Sequence, residues 1–156
     1  MRQKKKILID LDVVTVAFWD KGTNGDLARK FLLRIRQKEL LMITPHYLLE
    51  HLTKWRYITL KEQIEDFYIK NSNKLLTNED VDERIDELKI DDIKILLESK
   101  DIKEEDAFIV LVTSIFYLDY LVTFNRKHLR NKEKEINETL KKNGFKTVKI
   151  VGPEEV

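Results

Sequence analysis

The sequence predicts a three-layer α/β/α fold around a central, mainly parallel sheet. Two short runs, Ile7-Leu8-Ile9 and Tyr120-Leu121-Val122, are apolar at successive positions, as strands covered on both sides are. Helical segments separate such runs, and strands alternating with helices build a parallel sheet with helices on both faces. The segment Ala107 to Phe116 is apolar on nearly every side, which marks a buried helix rather than a surface one.

Composition narrows the class further. The chain has 156 residues, enough for one domain with a real core. Hydrophobic residues make up 42% and charged residues 37%, which excludes a disordered chain and fits a globular domain with a charged surface. The net charge is +1, so nucleic-acid binding would need a local patch. There is no cysteine, which excludes disulfides and thiolate metal sites, and three histidines are too few for a His-built zinc centre. No apolar run is long enough to span a bilayer, so no membrane association is expected. The basic start is followed by apolar residues interrupted at Asp10 and Asp12, unlike a secretory signal, and a cytoplasmic location is expected. No repeat or linker divides the chain, so residues 1–156 are read as a single domain.

The elements follow in order. Lys5 to Asp10 reads as a short buried strand ending in an acid, with Asp12 close behind. Gly22 and Gly25 mark a turn. A helix is expected from about Asp26 to Lys38, with Leu27, Phe31, Leu32 and Ile35 inward and a basic outer side. Leu40 to Ile43 is a second strand. Thr44 and Pro45 then read as N-cap and first position of a helix carrying Tyr47, Leu48, Leu49, Glu50 and Leu52. Further helices are expected over Thr59 to Asn71 and over Thr77 to Leu88. The latter is acidic outside through Glu79, Asp80, Asp82, Glu83, Asp86 and Glu87. Asp91 to Glu98 is ambiguous between helix and strand. Glu104, Glu105 and Asp106 open the apolar helix, where the helix dipole favours negative charge. A strand over Tyr120 to Thr123 ends at Asn125. Glu133 to Lys142 is an amphipathic helix stopped by Asn143-Gly144, Thr147 to Val151 is a last strand, and Pro153 ends the fold.

In parallel sheets the ligand site lies beyond the carboxyl ends of the strands. Asp10, Asp12, Thr123 and Asn125 all fall at such ends, and Asp106 heads the helix before the last pair. The acids Asp10, Glu50 and Asp106 are distant in sequence but could converge at one sheet edge. Carboxylates held together repel one another, and a divalent cation removes that cost. Oxygen ligands without cysteine and with little histidine suit Mg²⁺ or Mn²⁺. A metal-bound water attacking phosphorus is then the expected chemistry.

These residues resemble the PIN-domain nucleases in four pieces. ILIDLDVV supplies a strand ending in the first acid, Asp10. MITPHYLLEHL looks like the family's strand, Pro-led helix and second acid, Glu50. EDAFIVLVTSIFYLDYLVTFNRKHL is similar to the family's third acid, Asp106, its apolar helix and the LVT strand. KTVKIVGPEEV is the closing strand. The resemblance spans essentially the whole chain, and its third piece is the most specific. It implies a PIN-like fold and a Mg²⁺- or Mn²⁺-dependent endoribonuclease with Asp10, Glu50, Asp106 and Asn125 as catalytic residues. It also implies an RNA substrate, a homodimer and, for the toxin type, an antitoxin partner. One position departs: where the family often has a fourth acid, this chain has Asn125. An amide can hold a water or a phosphate but adds no charge, and Asp12 is the carboxylate that would restore it. Asp10, Glu50, Asp106 and Asp12 are thus the expected metal ligands.

Arg126, Lys127 and His128, with Arg130, form either a solvated basic turn or a phosphate-binding edge, with Thr123 read beside them as a nucleic-acid contact. Thr123 and Asn125 are expected to hydrogen-bond a water, a metal ligand or a neighbouring carboxylate. Asp119 begins the strand that Asn125 follows, too far along it to share a metal shell, and is read as structural. His46 is read as a helix-surface residue one turn from Glu50. Trp19, Trp55, Tyr57 and Tyr68 could stack bases, with core or dimer packing as the simpler reading. Two other functions stay open. One is a PIN-like RNA-binding or assembly module without catalysis. The other is a haloacid-dehalogenase-type phosphatase, which ILIDLDVVT resembles, with Asp10 as nucleophile and Asp12 as acid/base. The acids near Asp106 precede LVT rather than follow a strand, which sets that family's pattern apart. A receiver-type domain lacks its closing acid and its lysine here.

Overall fold

The computed structural model describes residues 3–88, 97 and 101–156. Five strands form one all-parallel sheet: β1 Lys6–Ile9, β2 Leu41–Pro45, β3 Lys74–Leu76, β4 Tyr120–Val122 and β5 Ile150–Val151. Their spatial order is β3-β2-β1-β4-β5. The chain therefore builds outward from β1 in one direction, then returns to lay β4 on its other side. That reversal makes a topological switch point between the carboxyl ends of β1 and β4, where such sheets hold their ligands.

Seven α-helices among the described residues flank the sheet: α1 Leu11–Trp19, α2 Thr23–Arg36, α3 His46–Glu50, α4 Ile58–Asn71, α5 Asn78–Leu88, α6 Glu104–Ile115 and α7 Glu133–Lys142. The result is the expected three-layer α/β/α arrangement. Ile7, Leu8, Ile9, Met42, Leu121, Val122, Ile150 and Val151 are all buried, as double coverage requires. Shortening one of the central side chains, Leu8 or Leu121, to alanine is expected to cost about 2–5 kcal/mol. Helix α6 is buried from Ala107 through Ile115 apart from Phe108, which leans on Tyr47 with ring centroids 4.3 Å apart. None of the described helices is long and apolar enough to cross a membrane.

Several boundaries differ from expectation, each for a local reason. Helix α1 was not legible, because its Val13, Val14, Thr15 and Val16 are β-branched and favour strands. Burial of Val13, Val14 and Ala17 outweighs that preference. Helix α2 starts at Thr23, so Gly25 lies inside it rather than in a turn. A Cβ there would sit 1.9 Å from the Asp20 carbonyl oxygen, and only glycine lets α2 approach the end of α1 so closely. Pro45 closes β2 and takes the N-cap position of α3, one residue before the expected place. Thr44, expected as the cap, is instead buried with its hydroxyl 2.7 Å from that of Ser72. Helix α3 lasts only five residues before a 3₁₀ turn over His51–Lys54. Strand β3, three residues long, was missed because it is too short to show periodicity.

Other expectations hold closely. Helix α5 is opened by a reciprocal pair: Thr77 Oγ1 accepts the Asp80 N–H, and Asp80 Oδ2 accepts the Thr77 N–H. Glu79, Asp82 and Glu83 are exposed, whereas the side chains of Asp86 and Glu87 lie outside the described residues, as does the ambiguous Asp91–Glu98 apart from the buried Leu97. Helix α7 has its expected bounds, and Gly144 follows with φ +80°. The last strand is reduced to Ile150–Val151, and Pro153 opens a 3₁₀ turn rather than a loose end.

Candidate functional site

Parallel pairing of β1 with β4 puts Ile9 opposite Val122, so the residues just past each strand meet. Asp10 follows β1, with its N–H bonded to the Val122 carbonyl at 2.9 Å. Its backbone occupies the N-cap of α1, but its side chain makes no capping bond. The carboxylate turns instead to β4, where the Thr123 hydroxyl lies 2.9 Å from Asp10 Oδ2. Asp12, in the first turn of α1, approaches the same hydroxyl at 3.2 Å and accepts the Phe124 N–H at 3.1 Å. Thr123 is fully buried, and its oxygen also accepts the Asn125 N–H at 3.0 Å. One hydroxyl proton thus serves two carboxylates.

Asn125 carries the cluster onward to α6. Its Nδ2 lies 3.4 Å from Asp106 Oδ2, and its Oδ1 accepts the His128 N–H at 3.0 Å. Asp10, Asp12, Thr123, Asn125 and Asp106 therefore form one connected group at the switch point. Beneath it the buried Tyr68 donates its hydroxyl to the Ile9 carbonyl at 2.7 Å. Tyr68 is thus a core residue and not a stacking surface.

The electrostatics follow from this placement. Burial raises the Asp10 carboxyl well above the usual range, and the neighbouring Asp12 and Asp106 charges push it further against the Thr123 hydrogen bond. Burial raises Asp12 to about 6, opposed by the Phe124 N–H and the Thr123 hydroxyl. Burial also raises Asp106, against the pull of His128. Burial, then the Asp10 and Asp12 charges, keeps the Tyr68 hydroxyl protonated well beyond its ordinary value. Three carboxyls are thus held where ionisation is unfavourable unless a positive charge joins them.

The carboxylates line an open cavity of about 560 Å³. Asp10, Asp12 and Asp106 stand on one side, with Leu48, His51, Lys54, Trp55 and Glu105 completing the wall. Glu50 is not brought to this cluster. Its carboxylate is 45% exposed and engages Asn78 Nδ2 at 2.9 Å and His46 Nδ1 at 3.3 Å. This departs from the sequence expectation for the second acid, while His46 is the helix-surface residue expected. The next residue, His51, takes the cavity position instead. Its Nδ1 lies 3.6 Å from Glu105 Oε1, and its Nε2 is buried without a hydrogen-bond partner. Sequence reading missed His51 and Glu105; the only signal was their adjacency to Glu50 and Asp106.

Arg126 and Lys127 are exposed on the turn after Asn125, and His128 is half-buried with an unpartnered Nδ1. Arg130 does not join a phosphate edge, because its guanidinium is engaged by Glu154 and Glu155. Asp119 is structural as expected: its Oδ2 accepts the Lys6 N–H at 2.8 Å.

The donor set suits a hard cation in chemistry, being all oxygen and rich in charge. Among the described residues, however, no three acidic or imidazole side chains surround one point. A cation here would take one or two carboxylates and fill its remaining positions with water and ligand oxygens, which is how Mg²⁺ is usually held. Comparison with protein-family models, with curated proteins and with solved structures gave no match for this chain.

Proposed function

We propose that this protein is a Mg²⁺- or Mn²⁺-dependent nuclease of PIN-like type that hydrolyses phosphodiester bonds in RNA. The observation that carries the reading is the connected group Asp10, Asp12, Thr123, Asn125 and Asp106 at the β1–β4 switch point. Asp10 and Asp12 would hold the cation. When bound, it would offset their repulsion and lend Lewis acidity to the phosphate and the attacking water.

The protein's own groups supply the rest. Thr123 fixes both carboxylates from the β4 side. Asn125 orients Asp106 through its amide. Asp106 Oδ2 is the acceptor for a proton of the attacking water, and its raised pKa brings it nearer the pH range in which a carboxylate base is effective. Water oxygen bonds to phosphorus, the bond from phosphorus to one ester oxygen breaks, and that oxygen leaves and takes a proton from solvent. Arg126 and Lys127 lie on the exposed turn beside the cluster, suited to positioning the phosphate chain rather than reading bases.

The decisive experiment is Mn²⁺-dependent cleavage of a fluorescent RNA by the wild type and by Asp10→Asn. Loss of cleavage with a retained melting transition is expected; equal cleavage sinks the reading. Turnover of para-nitrophenyl phosphate lost with Asp10 would point to the phosphatase instead. A second reading has one observation in its favour: Glu50 lies away from the cluster, as in an RNA-binding module without catalysis. Absence of Mn²⁺ binding near millimolar concentration would select that module.

A further inference from the structure

We propose that the groove beside the carboxylate cavity, walled by Trp19, Trp55 and Tyr57, is a stacking subsite for the unpaired bases of a single-stranded nucleic acid. Trp19 and Tyr57 are each 66% exposed, with ring centroids 6.0 Å apart and planes tilted by 47°. With Ile58, 63% exposed in the same wall, they form an exposed apolar patch of the kind that marks an interaction site. Both rings line two adjoining cavities of about 480 and 380 Å³, within the size range of small-ligand sites.

Continuity with the carboxylate cavity sets the occupant. The smaller of the two cavities shares Thr15 and Trp55 with the cavity that Asp10, Asp12 and Asp106 line. A strand with a phosphate at the carboxylates would therefore lead its neighbouring nucleotides directly onto Trp19 and Tyr57. The charge along that path changes as this requires. Among the described residues no carboxylate lines either aromatic cavity, and Arg56 is the one charged wall residue. Arg56 can meet a backbone phosphate or stack on a base, and Gln63 offers an amide to a base edge. Duplex bases present no free face to such rings, whereas every unpaired base does. A second copy of the chain fits less well, because a two-fold contact centred here would bring Arg56 against its own copy with no carboxylate among the described wall residues.

The subsite rests on the nuclease reading only for the phosphate it adjoins, so binding and cleavage are measured separately. The binding probe is a fluorescein-labelled single-stranded adenylate decamer, titrated by anisotropy with EDTA present. Trp19→Ala and Tyr57→Ala are each expected to weaken binding about tenfold. Tyr57→Phe, which keeps the ring, is expected to bind within about twofold of wild type, and an abasic decamer to bind as poorly as the alanine variants. Wild-type affinity in both alanine variants, equal affinity for the abasic strand, or no binding at all overturns the subsite. So does a dimer in sedimentation that either alanine variant dissolves. Mn²⁺-dependent cleavage with unchanged KM in Trp19→Ala and Tyr57→Ala overturns the subsite and leaves the nuclease standing. Base-dependent binding without any cleavage keeps the subsite and removes the nuclease.

Discussion

Asp10 was singled out as an acid just past an apolar strand and Glu50 as an acid on a Pro-led, core-facing helix, and they have opposite fates. Asp10 ends in a buried cluster with Asp12, Thr123 and, through Asn125, Asp106. Glu50 ends on the surface beside His46 and Asn78. The difference is how each position is set. A residue one step past a strand is placed by sheet register, which the pairing of Ile9 with Val122 fixes for both sides at once. A residue on a helix is placed by the helix's phase, and each residue of displacement turns the side chain by about 100°. Pro45 takes the N-cap and α3 is only five residues long, so small changes at its start decide which residues face the cavity. Those are Leu48 and, in the 3₁₀ turn that follows, His51.

The largest expected effect breaks or keeps this contrast outright. Asp10→Asn should lower Mn²⁺-dependent RNA cleavage by at least about 100-fold, the scale of losing a group that acts in the transition state. Single-turnover rates at saturating enzyme measure it. Comparable loss in Glu50→Gln would mean that α3 turns on substrate binding and that the two acids share one site after all.

Asp12→Asn tests the electrostatic side of the same cluster. Its carboxyl is raised from 3.8 to about 6 by burial, so the folded state holds its proton more tightly than the unfolded state. This group's contribution to stability is fully present below about pH 4 and is lost as pH rises through about 6. At pH 7.5 the ionised Asp12 is a net burden on the fold, on the order of 2–3 kcal/mol. The variant should therefore be more stable than wild type at pH 7.5 and nearly equal to it at pH 4. Urea midpoints at the two values check this. Mn²⁺ at pH 7.5 should raise the wild-type melting temperature more than that of the variant. A variant that is less stable at pH 7.5 would show that the Thr123 and Phe124 bonds outweigh the burial.

Thr123→Val comes next in size. The change removes the hydroxyl that both carboxylates approach and leaves the partly buried Asn125 N–H without its acceptor. A loss of about 1–3 kcal/mol is expected from unfolding curves. Thr113 is equally buried, but its hydroxyl bonds to the Ile109 carbonyl four residues back in its own helix. Thr113→Val should cost less, because removing that bond leaves no donor unpaired. Equal costs would mean that the Thr123 hydroxyl acts as ordinary packing.

The same contrast explains how much was legible in the sequence. Short apolar runs, one ending in an acid and one leading to Thr123 and Asn125, gave away β1 and β4, and with them Asp10, Asp12, Thr123 and Asn125, because strand ends need only order and register. Asp106 was legible from its spacing to the LVT strand, at the head of the apolar helix that precedes it. Helix α1 was hidden by β-branched residues whose preference yields to burial. His51 was hidden because no local pattern tells which side of a short turn faces a cavity, and Glu105 because it is one of three acids in a single helical turn. Trp19 and Tyr57 looked like packing in the sequence, since exposure is a property of the assembled chain.

The smallest expected effect lies at Glu50. Its carboxylate is 45% exposed, and its partners His46 and Asn78 are themselves exposed, so solvent and salt screen what the bonds contribute. Glu50→Gln keeps an oxygen for the Asn78 amide and removes only the charge. Stability should change by less than about 0.5 kcal/mol, the usual scale of an exposed i,i+4 pair. Cleavage should stay within about twofold, because the group lies outside the cavity that Asp10 lines. Unfolding curves and initial rates run side by side separate the two effects. Unchanged stability with a large loss of cleavage would be the informative result: it would mean that Glu50 reaches the cluster when substrate binds.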